Sequence, residues 1–390
     1  MIESPIFTEE HALLREQIRR FLEREVRPHG EQWERDGCTP RAVLRRMGEL
    51  GLLGMRHPPE HGGGGLDARA SVVLAEELGR SSFGGFNATV LVHTDMASPH
   101  LARYGSPAQQ ARYLPGICRG ELITAVAVTE PDAGSDVARL RTRAVRDGSG
   151  AGAGWLLNGA KTYITNGVHA ELVFVAARTD PDAKGSRGIS MFIVERGSPG
   201  FHVAKQLEKM GWHSSDTAEL VFEDCRLPAE ALLGEENAGF YAIMSNFQNE
   251  RLVMGAAAVG EASHALALTL RHVRQRQVFG MPLWEQQAIR QRLATLAAQV
   301  EAARRLVYHV AWLDAQGRDA VREVSMVKAL CGELVNRVMY DCQQFHGGFG
   351  YMREATIERM VRDARVQAVG GGATEVMLEE VAKRLDPERL

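Results

Sequence analysis

The sequence predicts a mainly α-helical protein with a central β domain, in the order helical, β, helical. Three observations carry this. Apolar residues recur at three- and four-residue intervals through much of residues 1–120 and again from 234 to 390. Between them, residues 121–233 break into short alternating or apolar runs separated by Gly, Pro, Asn and Asp, the pattern of a small antiparallel β domain. The chain of 390 residues is long enough for two or three well-buried cores. The expected domains are an N-terminal helical domain (1–120), a middle β domain (121–233) and a C-terminal four-helix bundle (234–390).

The first helix is read from "TEEHALLREQIRRFLEREV", where Leu13, Leu14, Ile18, Phe21 and Leu22 share a face, Thr8 is the N-cap and Pro28 follows near the end. "PRAVLRRMGELGLLGM" repeats the period, and "HPPEHGGGGLD" breaks it. "ARASVVLAEELGRS" and "PAQQARYLPGICRG" resume it. Strands follow in "ELITAVAVTEPDAGSD", "TRAVRD", "GWLLNGAKTYITNG", "ELVFVAART", "GISMFIVERG", "FHVAKQLEKMG" and "AELVFEDCRLP", with a "GSGAGAG" hairpin near residue 151. "ERLVMGAAAVGEASHALALTLRHVRQR" and "RQRLATLAAQVEAARRLVYHVAWLDAQG" then read as long bundle helices.

Composition bounds the function. Hydrophobic residues make up 45% and charged residues 24%, ordinary for a globular protein. A net charge of −3 argues against nucleic acid as the main partner, because phosphate binding wants a basic face. The five cysteines are odd in number and form no CxxC, so neither a disulfide framework nor a zinc site is expected; free thiols suit a reducing cytoplasm. The start of the chain lacks the apolar run of a signal peptide, and no segment is expected to cross a membrane.

Several motifs are chemically suggestive and individually weak. "VTEPDAGSD" turns through Pro131, Gly134 and Ser135, aligning hydroxyls and amides that could hold carbonyls or phosphates; the plainer reading is a capped turn. "KTYITNG" adds Tyr163 and Thr165 on a strand. "FHGGFGYM" lacks the GxGxxG spacing of a nicotinamide site, and "HGGGG" lacks the GK[ST] of a phosphate loop. His57 and His61 stand four apart in a Pro/Gly loop rather than on a helix, so no metal is expected; His213 has no triad context and reads as structural.

Taken together, "VTEPDAGSD", "YITNG", "RQVFGMPLWEQQ" and "QFHGGFGYMREATIERMVRDAR", in this order and spacing, resemble the acyl-CoA dehydrogenase family over nearly the whole chain. The resemblance implies FAD bound between the β domain and the C-terminal bundle, and a homotetramer built as a dimer of dimers. It places Val128, Thr129 and Thr165 around the flavin ring, with Tyr163 stacking where many relatives carry Trp. Gly134 and Ser135 fall near the pyrophosphate, and Ser135 near the CoA chain as well. Arg276, Phe279 and Gln287 would reach the FAD of a neighbouring subunit, Gln344, Gly347 and Gly348 would close its adenosine end, and Thr374 and Glu375 supply polar positions beyond the glycine loop. The implied partners are an acyl-CoA substrate and an electron-transfer flavoprotein, with neither nucleic acid nor a membrane.

The implied reaction is α,β-dehydrogenation of an acyl-CoA thioester, in which a carboxylate removes the α-proton and a backbone N–H, here matching Gly371, helps polarise the thioester carbonyl. Many members carry the base in a "Y-E-G-T" segment, which here reads Gly370-Gly371-Gly372-Ala373. The glutamate is missing. "FQNERLVMG" supplies the alternative: isovaleryl- and long-chain-type members carry their base directly before an arginine, which matches Glu250 and Arg251. An isolated helical Glu is ordinarily a solvated charge; its place in this motif makes Glu250 the expected base, with Arg251 facing CoA. Gly370 and Gly372 then line the substrate site, Gly370 leaving room for a branched or bulky acyl group. If Gly371 faces the same α-carbon, a glutamate placed there should partly replace Glu250. A flavin oxidase or monooxygenase on the same fold, and an inactive FAD-binding scaffold, are the competing readings.

Overall fold

The computed structural model describes residues 4–148 and 153–389; the "GSGAGAG" hairpin expected near residue 151 lies largely outside the described residues. Helices α1 (Glu9–Phe21), α2 (Gly30–Asp36), α3 (Arg41–Glu49), α4 (Ala68–Gly79), α5 (Gly84–Leu91), α6 (Ser98–Tyr104) and α7 (Pro107–Cys118) form the N-terminal part. Thr8 precedes α1 as expected, its N–H donating to His11 Nδ1 at 3.2 Å. A π-helical turn, Val92–Ala97, joins α5 to α6. All eight residues of α5 are buried, so its sequence carries no amphipathic period to read.

The middle region holds β1 (Thr124–Ala127), β2 (Arg143–Asp147), β3 (Gly154–Thr165), β4 (Leu172–Arg178), β5 (Ile189–Glu195), β6 (Phe201–Gln206), β7 (Thr217–Leu227) and β8 (Leu232–Leu233). They form one sheet in the order β6-β7-β3-β2-β4-β5-β8, with β1 beside β4. The sheet is mainly antiparallel, as expected, at β2–β3, β3–β7, β4–β5, β5–β8 and β6–β7, while β1 runs parallel to β4 and Arg143 of β2 pairs in parallel with Arg178. The β2–β3 excursion lies between the two strands in sequence and returns the chain in its starting direction. β4 and β5 are buried on both faces and divide their residues between two cores. Val173, Val175, Phe192 and Val194 face one core, while Leu172, Phe174, Met191 and Ile193 face the other, which includes residues of α6, α7 and the following helix.

The C-terminal part comprises α8 (Gly239–Gln275), the hairpin β9 (Gln277–Val278) and β10 (Met281–Pro282), α9 (Gln287–Ala315), α10 (Val321–Phe345), α11 (Thr356–Ala364) and α12 (Thr374–Ala382). Contrary to the expectation that no segment has the length and apolarity to cross a membrane, α8 has both, with 72% of its most apolar stretch buried inside the protein. It is the central strut of the molecule. One continuous core joins α1 and α4 to α8, α9 and α10, so the two helical parts share a hydrophobic interior rather than owning one each. Glu76 of α4 stands in that core beside Arg15 (3.2 Å), Arg80 (3.2 Å) and Arg304 (3.1 Å), and accepts the Tyr308 hydroxyl at 2.6 Å.

Candidate active site

The "VTEPDAGSD" turn is pinned from behind. Glu130 accepts the backbone N–H groups of Arg141 (2.6 Å) and Thr142 (2.9 Å) and the Lys161 ammonium (2.7 Å), which also donates to Val128 O at 3.0 Å. Burial raises the Glu130 carboxyl, but Lys161 outweighs it and the group lies below its usual range; burial takes the Lys161 ammonium down to about 8. This buried pair holds Val128 and Thr129 half-buried against β3, and leaves Gly134 and Ser135 exposed. A Cβ added at Gly134 would meet nothing within 4 Å, so this backbone faces open space.

Along β3 the register against β7 slips between Lys161 and Ile164, and within that bulge Tyr163 takes φ +59°. A non-glycine residue rarely adopts that conformation, and here it turns the ring outward, 70% exposed. Thr165 is half-buried, and Asn166 behind it donates to Thr89 O (3.0 Å) and Thr124 O (3.2 Å), locking the strand end to α5 and β1.

A second group gathers where α8 ends. Arg276, Gln344, Gly347 and Gly348 line one cleft of about 660 Å³ together with Val278, Ile289 and the stacked His272–His346 pair, whose rings lie 4.3 Å apart. Burial first, and then His272, push His346 down to about 4, so the stack is neutral at physiological pH. Of the residues assigned to this end, Phe279 and Gln287 do not line the cleft. Phe279 sits on the β9–β10 hairpin at φ +52°, 92% exposed, and Gln287 opens α9 on the surface.

The third group is built on α8. Glu250 is buried, and its Oε1 accepts the Asn246 amide at 3.0 Å. Burial pushes its carboxyl up to about 7, against the lowering effects of the Asn246 hydrogen bond and of Arg251. Among the described residues Glu250 makes no ion pair within 4 Å, and the Arg251 guanidinium points instead over the Phe247 ring at 5.5 Å. Arg251 is half-buried with Nε unpartnered. One turn beyond Glu250, Met254 reaches the glycine loop.

The structure requires glycine at 371 and 372 but not at 370. Gly371 has φ +66°, and a Cβ there would overlap the Met254 sulfur and lie 3.2 Å from its methyl carbon. Gly372, at φ +111°, would meet the Met377 methyl at 2.8 Å; Gly370 would make only ordinary contact with Val366 at 3.5 Å. Gly371 thus lies beside the turn of α8 that follows Glu250. A glutamate at 371 would strain the backbone at φ +66° and would need the end of the Met254 side chain to move aside. The loop is tied down by the buried Lys328, whose ammonium donates to Gln367 O (2.7 Å) and Gly372 O (2.9 Å), while the Gly371 N–H has no acceptor among the described residues. Thr374 is buried with its hydroxyl toward Ala368 O (3.4 Å), and Glu375 is exposed in the first turn of α12; Ala373 at the N-cap offers that helix no side-chain acceptor.

Sequence reading therefore placed three groups of residues and missed their supports: Lys161 with Glu130, Lys328, Asn246 and Met254. The first pair flanks the two motifs and was visible as "TEP" and "GAKT". The others sit on helices at positions where only packing shows what they touch. His213 is structural as expected, Nε2 donating to Lys209 O at 2.9 Å, and His57 is a core histidine bonded to Ser98 Oγ at 2.8 Å.

Comparison with known proteins shows the family. Models of the acyl-CoA dehydrogenase N-terminal, middle and C-terminal domains match residues 8–121, 125–225 and 237–386. The mitochondrial long-chain specific acyl-CoA dehydrogenase of Sus scrofa is 41% identical over 381 residues, 97% of this chain and 87% of that protein. An acyl-CoA dehydrogenase from Geobacillus kaustophilus superposes with a TM-score of 0.94 at 43% identity, covering 98% of this chain and all of the other. One from Bacillus anthracis, complexed with FAD, gives 0.89 at 32% identity, covering 97% of this chain and 68% of that one. By its three domains and their match from end to end, the chain belongs to the acyl-CoA dehydrogenase family, FAD-dependent oxidoreductases acting on the CH–CH bond of acyl-CoA thioesters.

Proposed function

We propose that this chain dehydrogenates a branched or otherwise bulky acyl-CoA, with Glu250 as the base that removes the α-proton. The observation that carries this is the state of Glu250: a buried carboxyl with a pKa of about 7, in no ion pair within 4 Å among the described residues, on a helix turn adjoining the glycine loop. The inactive-scaffold reading has no role for such a group, whose burial unpaired is costly.

The residues fit a flavin dinucleotide. Gly134, Gly347 and Gly348 present backbone to open space where a Cβ would meet nothing within 4 Å, and Arg276 offers charge for a diphosphate at a roomy cleft. Val128, Thr129, Ser135, Tyr163 and Thr165 would hold the flavin end, and Arg276, Gln344, Gly347 and Gly348 the adenosine end from a neighbouring subunit. FAD, when bound, supplies the acceptor for the hydride leaving Cβ.

The chain's own residues do the rest. Glu250 takes the α-proton on a carboxylate oxygen. The unpartnered Gly371 N–H donates to the thioester oxygen, and its bond strengthens as charge develops there. Arg251 faces the CoA moiety, and Gly370, with only Val366 near, leaves the pocket wall open to a branch. Phe279, 92% exposed, and Tyr351, 82% exposed, support a homotetramer in which a second copy covers them. An electron-transfer flavoprotein is the proposed acceptor and the cytoplasm the proposed compartment.

The test is anaerobic flavin bleaching by straight, branched and aromatic acyl-CoAs, with wild-type protein and with Glu250→Gln. The reading expects the fastest bleaching with branched or bulky chains and almost none in the variant. A preference for unbranched butyryl- or octanoyl-CoA would remove the role given to Gly370, and normal bleaching by Glu250→Gln would remove Glu250 as the base.

A further inference from the structure

The π turn at Val92–Ala97 and the turn of α8 carrying Glu250 meet through two amides. Asn246 Nδ2 lies 2.9 Å from Met96 O, 3.2 Å from Asp95 O and 3.0 Å from Glu250 Oε1. Asn249 Nδ2 lies 2.8 Å from Asp95 O and does not reach Glu250. Asn246 is 1% exposed, one helical turn before Glu250. With three acceptors around it, that atom must be the donor nitrogen; the flipped amide would set oxygen against two carbonyls and a carboxylate. One N–H is committed to the backbone carbonyls of the π turn, and the other is aimed at the carboxylate. π turns of this kind recur at functional sites, where the extra residue re-aims the backbone.

We propose that Asn246 is the positioning residue for Glu250: tethered to the π-turn carbonyls of Asp95 and Met96, its amide fixes one carboxylate oxygen and leaves the other directed to the substrate. This rests on Glu250 being the base. A rigid donor does two things for such a group. It restricts the carboxylate to one orientation, and it stabilises the ionised form against the burial that opposes it. Among the described residues no other side chain hydrogen-bonds Glu250, and Arg251 acts on it only through space. Arg251 on the same helix is turned over Phe247, Arg56 is spent on Asn249 (2.6 Å) and Asp314 (2.8 Å), and Lys328 of α10 is spent on the glycine-loop carbonyls. Asp95 of the π turn is itself a carboxyl raised by burial, held by Ser71 at 2.7 Å, and can only oppose ionisation.

The experiment measures kcat and kcat/KM against pH for the FAD-loaded protein and for Asn246→Leu, Asn249→Leu and Glu250→Gln. Asn246→Leu is expected to lower kcat about tenfold near neutrality, with KM changed little, and to move the rising limb of the profile up by about one pH unit. The loss should therefore shrink as the pH is raised, which a merely structural defect would not do. Asn249→Leu removes an amide from the same carbonyl and should leave the limb in place. Asn246→Ser, too short to span carbonyl and carboxylate, should shift the limb in the same direction if the leucine variant fails to fold. An unshifted limb in the folded Asn246 variants, or a loss equal at all pH values, overturns the proposal while a dead Glu250→Gln keeps Glu250 as base. An active Glu250→Gln overturns the underlying reading instead.

Discussion

Glu76 and Glu250 are both carboxylates buried in helices of the same core, and α4 and α8 touch backbone to backbone where Gly260 meets Glu76 O. Their surroundings are opposite. Glu76 is pushed up by burial but pulled further down by Arg15, the Tyr308 hydroxyl, Arg304 and Arg80, and ends at about 2. Glu250 has one amide and, among the described residues, no ion pair within 4 Å, and ends at about 7. A carboxylate that holds helices together is given cations, so that its charge is fixed at any working pH. A carboxylate that must accept a proton and release it is denied them. The difference lies in the neighbours, not in burial.

The comparison can be broken from either side, and the largest effect is expected at the reactive one. Glu250→Gln keeps size and the Asn246 contact but removes the proton acceptor; kcat should fall by about 10²–10⁴, equivalent to about 3–5 kcal/mol of barrier. Bleaching rates read this directly, with FAD content as the control.

Glu76→Gln is the structural counterpart. It leaves Arg15 and Arg304 buried without their carboxylate, for a loss of about 3–5 kcal/mol in unfolding free energy by denaturant titration at pH 7. Since the folded carboxyl is depressed from 4.5 to about 2, the wild-type advantage is full above pH 4.5 and lost as pH falls toward 2. An advantage that does not shrink with acid would show that packing, not charge, holds this hub.

Glu250 should behave the other way round. Its folded carboxyl is raised from 4.5 to about 7, so the stability it contributes when protonated is present below pH 4.5 and lost as the pH rises through 7. Glu250→Gln should therefore be more stable than wild type by about 1–3 kcal/mol at pH 8–9, and equal to it near pH 4. Thermal unfolding across that range decides it; a variant no more stable at high pH would mean that the wild-type carboxylate is already well solvated.

The smallest effect concerns moving the base. In a Glu250→Gly background, Gly371→Glu alone should restore nothing, because φ +66° and Met254 both oppose a side chain there. Adding Met254→Ala should recover about tenfold in bleaching rate, a fraction of what a general base provides. Equal rescue with and without Met254→Ala would show that this methionine does not set the choice of base position.

The order of helical, β and helical regions was legible in the sequence because amphipathic helices and alternating strands expose their period. α5 was not, since a helix buried all round has no period to show. Glu250, Arg276 and the glycine positions came from the resemblance their motifs carry. Asn246, Lys328 and Met254 were not, because an amide, a lysine and a methionine on a helix say nothing of which carbonyl, loop or glycine they meet.

The sequence by itself determined that residue 371 carries no carboxylate and that Glu250 precedes Arg251, and so which group is proposed as the base. Only the tertiary structure decided what that group is worth. It buries Glu250 beside one amide, turns the neighbouring Arg251 over Phe247, and lays Met254 over Gly371. These are facts of distance between segments far apart in the chain, and a buried charge is governed by what surrounds it in space.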